Sequence, residues 1–284
     1  MTQRDSQSLA LAHSHSIESL LTRQNHRGMD DIRRELPPGY LLRAAHTLID
    51  RIGAVFIVTG FPVADTFETD GPAGALALYR LAERLGGTPT IISDPTVVSA
   101  LRASYRCHTI THDSERDARE LFAQREPQVV ISIERPGAAQ DGSYYNMAGE
   151  DISHACLTAE PYLAHANCPT IAIGDGGNEL GMGNAAKGLS TLNIRAAVST
   201  VDELIVADVS NWAAYALCAL TDWLVGNTPD GIGQIQIDID SLVAQGAVDG
   251  VTRQPTPTED GFTLADTAAL MTDITQYLSE EHVA

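Results

Sequence analysis

Six short apolar runs recur along the chain, each bounded by turn residues. They are AVFIVT at 54–59, TPTIIS at 88–93, CHTIT at 107–111, QVVISI at 128–133, TIAIG at 170–174 and ELIVA at 203–207. Runs that are apolar throughout belong to strands covered on both faces, and alternation with helices implies parallel strands joined by crossovers. Helical patterns lie between most of them, at 72–85, 96–104, 114–125 and roughly 151–166. Others lie at 40–51 and 210–225, and in the tail Leu264, Ala268, Met271, Ile274 and Leu278 share one helical face. The expected fold is α/β: a mainly parallel sheet with helices on both faces, a Rossmann-like three-layer architecture. With no internal repeat or low-complexity linker, residues 40–284 are expected to form a single α/β catalytic domain ending in a C-terminal helix. Residues 1–39 read as a polar, partly mobile N-terminal segment with a short helix near 16–23, closed by Pro37-Pro38-Gly39.

In an open α/β sheet, ligands bind beyond the carboxyl ends of the strands. Four of the six strand ends lead into polar, glycine-rich sequence: GFPVADTFETDGPAGA after Thr59, ERPGAAQDGSYYNMAGED after Ile133, GDGGNELGMGN from Gly174, and DVSNW after Ala207. These place Thr59, Gly60, Asp70, Gly71, Glu134, Arg135, Asp141, Asn146, Asp151, Asp175, Asn178, Glu179, Asp208, Ser210 and Asn211 along one edge. Asp70 before Gly71-Pro72 suits a helix cap, and the same helix start suits an anion; both readings stand together. Glu134-Arg135 reads either as a solvated turn or as a carboxylate clamp (Arg135) beside an acid, base or metal ligand (Glu134). Asp175 and Glu179 are four apart, on one face if a helix begins there. A cation held by such carboxylate and amide oxygens would be hard, Mg²⁺ or Mn²⁺. Gly181-x-Gly183-x-x-Ala186 matches a dinucleotide fingerprint only on paper, because it begins seven positions beyond the strand end at Gly174. No phosphate-cradling lysine motif and no Ser/His/Asp or Cys/His pattern is present.

Thirty-seven acids against eighteen bases give a net charge of −19. That disfavours nucleic acid and anionic membranes as partners, since phosphate binding needs a basic footprint. No apolar run approaches the roughly 20 residues that cross a bilayer, and the start lacks a secretory h-region, so a cytoplasmic protein is expected. The four cysteines are scattered, which suggests neither a disulfide framework nor a zinc knuckle.

The segments IVTGFPVADTFETDGPAGALAL, IERPGAAQDGSYYNMAGEDIS, IAIGDGGNELGMGN and LIVADVSNWAAYAL closely resemble the D-glutamate cyclase family, and GAVDGVTRQPTPTEDGF resembles its C-terminal segment. The likeness runs from about Gly53 to Phe262. It implies cyclisation of D-glutamate to 5-oxo-D-proline with loss of water, in an enzyme associated with Mn²⁺. On that reading Asp175, Glu179 and Glu134 are the catalytic and metal-ligating candidates. Arg135 is the candidate anchor for the substrate α-carboxylate; Asn178, Asn146, Ser210, Asn211, Thr59, Gly60, Asp70 and Gly71 are candidates for the rest of the substrate site. Hydrolysis of a small lactam, the reverse chemistry, and non-catalytic binding of an acidic metabolite are the alternatives. A small-molecule partner is expected, and a homo-oligomer is compatible.

Overall fold

The computed structural model describes residues 3–279. Helices α1 (Gln3–Leu21), α2 (Met29–Glu35) and α3 (Tyr40–Asp50) precede strand β1 (Ala54–Thr59) and a small hairpin, β2 (Pro62–Val63) with β3 (Thr66–Phe67). Then come α4 (Pro72–Arg84), β4 (Thr88–Ser93), α5 (Pro95–Leu101), β5 (Cys107–Thr109), α6 (Ser114–Arg125) and β6 (Val129–Ile133). The second half runs α7 (Pro161–Ala164), β7 (Thr170–Gly174), α8 (Ala186–Leu189), β8 (Glu203–Val206), α9 (Ser210–Val225) and α10 (Ile232–Ala244). A second hairpin, β9 (Thr258–Glu259) with β10 (Phe262–Thr263), leads into α11 (Leu264–Ser279).

The six apolar runs form one parallel sheet in the order β5-β4-β1-β6-β7-β8. The order grows outward in both directions from the central pair β1 and β6, as in doubly wound folds, so the crevice for a ligand lies at the carboxyl ends of that pair. Register fixes what meets there: Thr59 is opposite Ile133, and Ile133 opposite Ile173, which sets Glu134 beside the Gly174–Asp175 step.

The two faces divide the strand residues by parity. Val55 and Ile57 join the large core formed with α3, α4 and α9, whereas Phe56 and Val58 pack with Ala118 and Leu121 of α6 and Tyr162 and Leu163 of α7. Helix α9 is buried nearly all round, because α3, α4 and α11 pack against it as well as the sheet. On α11 the buried side chains are Thr267, Leu270 and Ile274, with Leu264, Met271 and Leu278 packed at the margin of the core.

Two sequence expectations change. The helix expected at 151–166 is instead an irregular segment with a 3₁₀ turn at Ser153–Ala155 and the single turn of α7. A continuous helix would have placed Pro161 in its interior, where the ring has no N–H to donate and clashes with the preceding turn; here Pro161 opens α7. Residues 3–35, read as a polar lead, form α1 and α2, and their Ile17, Leu21, Met29 and Ile32 are part of the main core. Among the described residues no helix is long and apolar enough to cross a membrane.

Candidate active site

At the carboxyl ends of β1, β6 and β7 the chain assembles a cluster of buried carboxylates beside a cleft of about 560 Å³. Glu68, Glu134, Asp175, Glu179 and Asp260 line it; Asp70 sits behind the wall. All six are buried, and the cation that reaches among them is Arg27, whose Nη1 lies 2.6 Å from both Asp175 Oδ1 and Asp260 Oδ2. Fully ionised, the group would leave five negative charges uncompensated, which a low-dielectric site does not tolerate without protons or a cation.

The ionisation behaviour follows. Burial pushes Glu134 well above the usual carboxylate range, and the charges of Asp175 and Glu179 push it further. Burial does the same for Asp70 and Glu68, reinforced by neighbouring carboxylates. Burial and Asp175 push Asp260 up to about 7 against the pull of Arg27. Asp175 is raised by burial, with Arg27 opposing. Burial works against the Arg27 charge, but Asp175, Asp260 and Glu134 outweigh it and hold the guanidinium protonated.

Among the described residues Asp70, Glu134 and Asp175 each offer a carboxylate oxygen, and the three lie within 4.8 Å of one another. Their remaining bonds leave capacity for a cation. Asp70 accepts from the Gly71, Ser210 and Asn211 amides, three of the four lone-pair positions of a carboxylate. Glu134 accepts the Ser210 hydroxyl on Oε2 at 2.6 Å. Asp175 gives Oδ1 to Arg27, while its buried Oδ2 has no partner among the described residues, nor has the buried Oδ1 of Asn178. Three oxygen donors with unspent lone pairs in so negative a pocket fit a hard divalent cation.

Local structure aims these groups. Glu134 follows β6 with φ +42°, a left-handed backbone uncommon for a residue with a Cβ and characteristic of functional sites. Gly71 makes room for it: a Cβ there would stand 2.6 Å from the Glu134 Cβ and 3.0 Å from Thr59 Oγ1. Asn211 Oδ1 accepts the Gly71 and Gly74 amides and so ties the start of α9 to the start of α4.

Several candidates take places other than those expected. No helix begins at Asp175; the turn folds back so that Glu179 accepts the Gly176 and Gly177 amides at 2.8 and 2.7 Å, and its carboxylate serves the turn rather than the triad. Asp70 stands in its place. Arg135 does not face the cleft. It is 0% exposed and locked to both Asp94 oxygens, to Gly60 O and to Leu157 O. Asn211 and Gly60 act as structural partners of α4 and Arg135, Ser210 donates to Glu134, and the buried Thr59 hydroxyl has no partner among the described residues. Asn178 and Asn146 line the cleft, Asn146 on an outer loop where it accepts the Ala148 and Glu150 amides. Sequence reasoning passed over Arg27, Glu68 and Asp260. The last two lay inside the quoted segments TFETDGP and TEDGF; Arg27 lay in a stretch with no motif.

The model of the family described as D-glutamate cyclase-like, C-terminal, matches residues 17–275. The chain belongs to that family. It is 32% identical over 212 residues to human D-glutamate cyclase, mitochondrial. That match takes in 63% of this chain and 34% of the human protein, so the chain spans about a third of that relative. Among solved structures, an exopolyphosphatase-related protein from Bacteroides fragilis superposes with a TM-score of 0.44 at 8% identity, over 87% of this chain and 62% of the other.

Proposed function

We propose that this chain cyclises D-glutamate to 5-oxo-D-proline with loss of water, assisted by a divalent cation, Mn²⁺ before Mg²⁺, held by Asp70, Glu134 and Asp175. The observation that carries the reading is the buried triad of convergent carboxylate oxygens at the wall of a cleft sized for a small molecule. The family supports the substrate class, and the human relative's name supplies the D enantiomer.

Lactam formation joins the α-amine nitrogen to the carbon of the γ-carboxyl group and breaks one of that carbon's bonds to oxygen. The ammonium gives up two protons and both leave in the water, so no outside acid or base is consumed. Ring closure through five atoms already holds the reacting groups together. Glu134 keeps one oxygen for the cation while the Ser210 hydroxyl steadies the other. The unpartnered Asn178 Oδ1 can accept a substrate N–H. A bound cation would supply charge stabilisation at the γ-carboxyl oxygen. Incubation with D- and with L-glutamate, with and without Mn²⁺, followed by chiral chromatography, tests the reading. The expected product is 5-oxo-D-proline from the D substrate in the presence of Mn²⁺; no product under either condition sinks it.

A further inference from the structure

The cleft needs a partner for the substrate carboxylate, and the expected one, Arg135, is buried among four oxygens of the protein. Two other arginines line the cleft, Arg27 and Arg253. Arg253 is 59% exposed and reaches Glu150 on the opposite rim at 3.5 Å, a contact at the cleft mouth. Arg27 lies inside, 15% exposed. Its closest approach to each carboxylate is through Nη1, and Nη2 makes no hydrogen bond among the described residues. Asp175, one of the two carboxylates that Nη1 holds, is also a member of the triad. A ligand on the open edge of this guanidinium therefore lies next to the cation-binding oxygens.

The segment that brings Arg27 here is built for placement. Asp208, fully buried beyond the end of β8, accepts the Gln24 and Asn25 amides at 2.7 and 3.0 Å, and its own amide donates to Leu21 O at 2.7 Å. Asn25 adopts φ +50° and caps the Asp30 amide, and Gly28 follows at φ +79°. His26 stands against Phe262 with ring centroids 5.6 Å apart. Residues 22–28 thus form a strap fastened at one end to the sheet and at the other to the β9–β10 hairpin, with Arg27 pointing between them to Asp175 and Asp260.

We infer that Arg27 is the anchor for the substrate's α-carboxylate, and that Asp208 is a positioning residue which fastens the strap that delivers it. The inference deepens the cyclase reading and rests on it for the identity of the ligand. A planar guanidinium takes a carboxylate by parallel hydrogen bonds, which an ammonium cannot reproduce. Substrate and product both carry the α-carboxylate, so both should feel the loss of the fork; a lactam without the carboxylate should not.

The test measures binding of 5-oxo-D-proline and of pyrrolidin-2-one to the Mn²⁺-loaded full chain by calorimetry, for wild type, Arg27→Lys and Asp208→Ala, with D-glutamate kinetics alongside. Arg27→Lys is expected to weaken 5-oxo-D-proline about ten- to a hundredfold, raise KM for D-glutamate, and leave pyrrolidin-2-one and Mn²⁺ affinity within about threefold. Asp208→Ala is expected to shift the acid in the same direction; where it does not fold, Arg27→Lys decides alone. Equal affinity of wild type and Arg27→Lys for the acid overturns the inference. So does equal loss for acid and lactam, which would make Arg27 a counter-charge that merely shapes the pocket. A wild type that binds the acid through Arg27 yet converts no D-glutamate would keep the anchor and remove the cyclase reading. Turnover with KM unmoved in Arg27→Lys would do the reverse, and a wild type that neither binds nor converts overturns both.

Discussion

At Arg135 the guanidinium donates to Asp94, Gly60 O and Leu157 O with none of its surface exposed. Lysine cannot fill that planar set, so Arg135→Lys is expected to cost about 2 kcal/mol or more of stability. Urea denaturation would report it, while KM of the folded enzyme should stay at the wild-type value. Glu134→Gln works the other way round. The amide oxygen still accepts from Ser210, and one charge leaves a repulsive cluster, so the melting temperature of the metal-free protein should not fall. Mn²⁺ affinity and turnover should both fall, because a neutral amide oxygen holds a hard cation less tightly than a carboxylate does. Gly71→Ala should damage both properties. Its φ of +88° strains any side chain, and the new Cβ would collide with Glu134 at 2.6 Å. A loss of about 1–3 kcal/mol is expected, with turnover down about a hundredfold, checked by melting and steady-state kinetics.

Among the elements, α1 shows how the first part of the chain is tied to the rest. The N-cap position of α3 is Gly39, which has no side chain to cap the helix. Glu18 of α1 supplies the cap: its carboxylate accepts the Gly39 and Leu41 amides, both at 3.1 Å, and the Ser14 hydroxyl at 2.7 Å. Glu18→Ala should therefore destabilise the fold by about 1–2 kcal/mol, read as a shift in urea midpoint, without altering Mn²⁺ affinity. Because α1 leads into the strap at residues 22–28, loosening this helix also loosens the path to Arg27. The β9–β10 hairpin plays the matching part from the other end of the chain, since it carries Asp260 to the same guanidinium.

The charge of the whole cluster should govern how the molecule responds to pH and to metal. Glu68, Asp70, Glu134, Asp175 and Asp260 all have folded-state proton affinities above their ordinary values, with burial as the leading cause. A raised group binds more protons folded than unfolded, so its contribution to stability is present below its ordinary pKa and lost as pH rises through the folded one. Asp260, pushed up to about 7, places part of that loss near neutrality. The metal-free protein should gain melting temperature as pH falls from about 8 toward about 5.5. Mn²⁺ should raise the melting temperature more at about pH 8 than at about pH 5.5, because at the lower pH protons compete for the same oxygens. Thermal melts with EDTA or Mn²⁺ at the two values check this, and an equal metal shift at both would contradict it.

The periodicity of the apolar runs was enough to determine the sheet, its parallel sense and its cover on both faces, since a strand buried on both sides is apolar over most of its length. The same runs located the strand ends, and so the edge where Glu134, Asp175, Asn178 and Asp70 would meet. What each does there depended on distances between residues far apart in the chain. Whether Glu179 or Asp70 completes the triad turned on a backbone reversal that hands the Glu179 carboxylate to two amides of its own turn. Arg135 looked like a clamp because it adjoins Glu134, yet the left-handed step at Glu134 accompanies an Arg135 turned to Asp94. Arg27 left no local signal at all: it reaches the site because Asp208, 181 residues later in the numbering, holds its loop against the sheet. Hydrophobic pattern is a local property of the chain, and closure of a polar site is a long-range one.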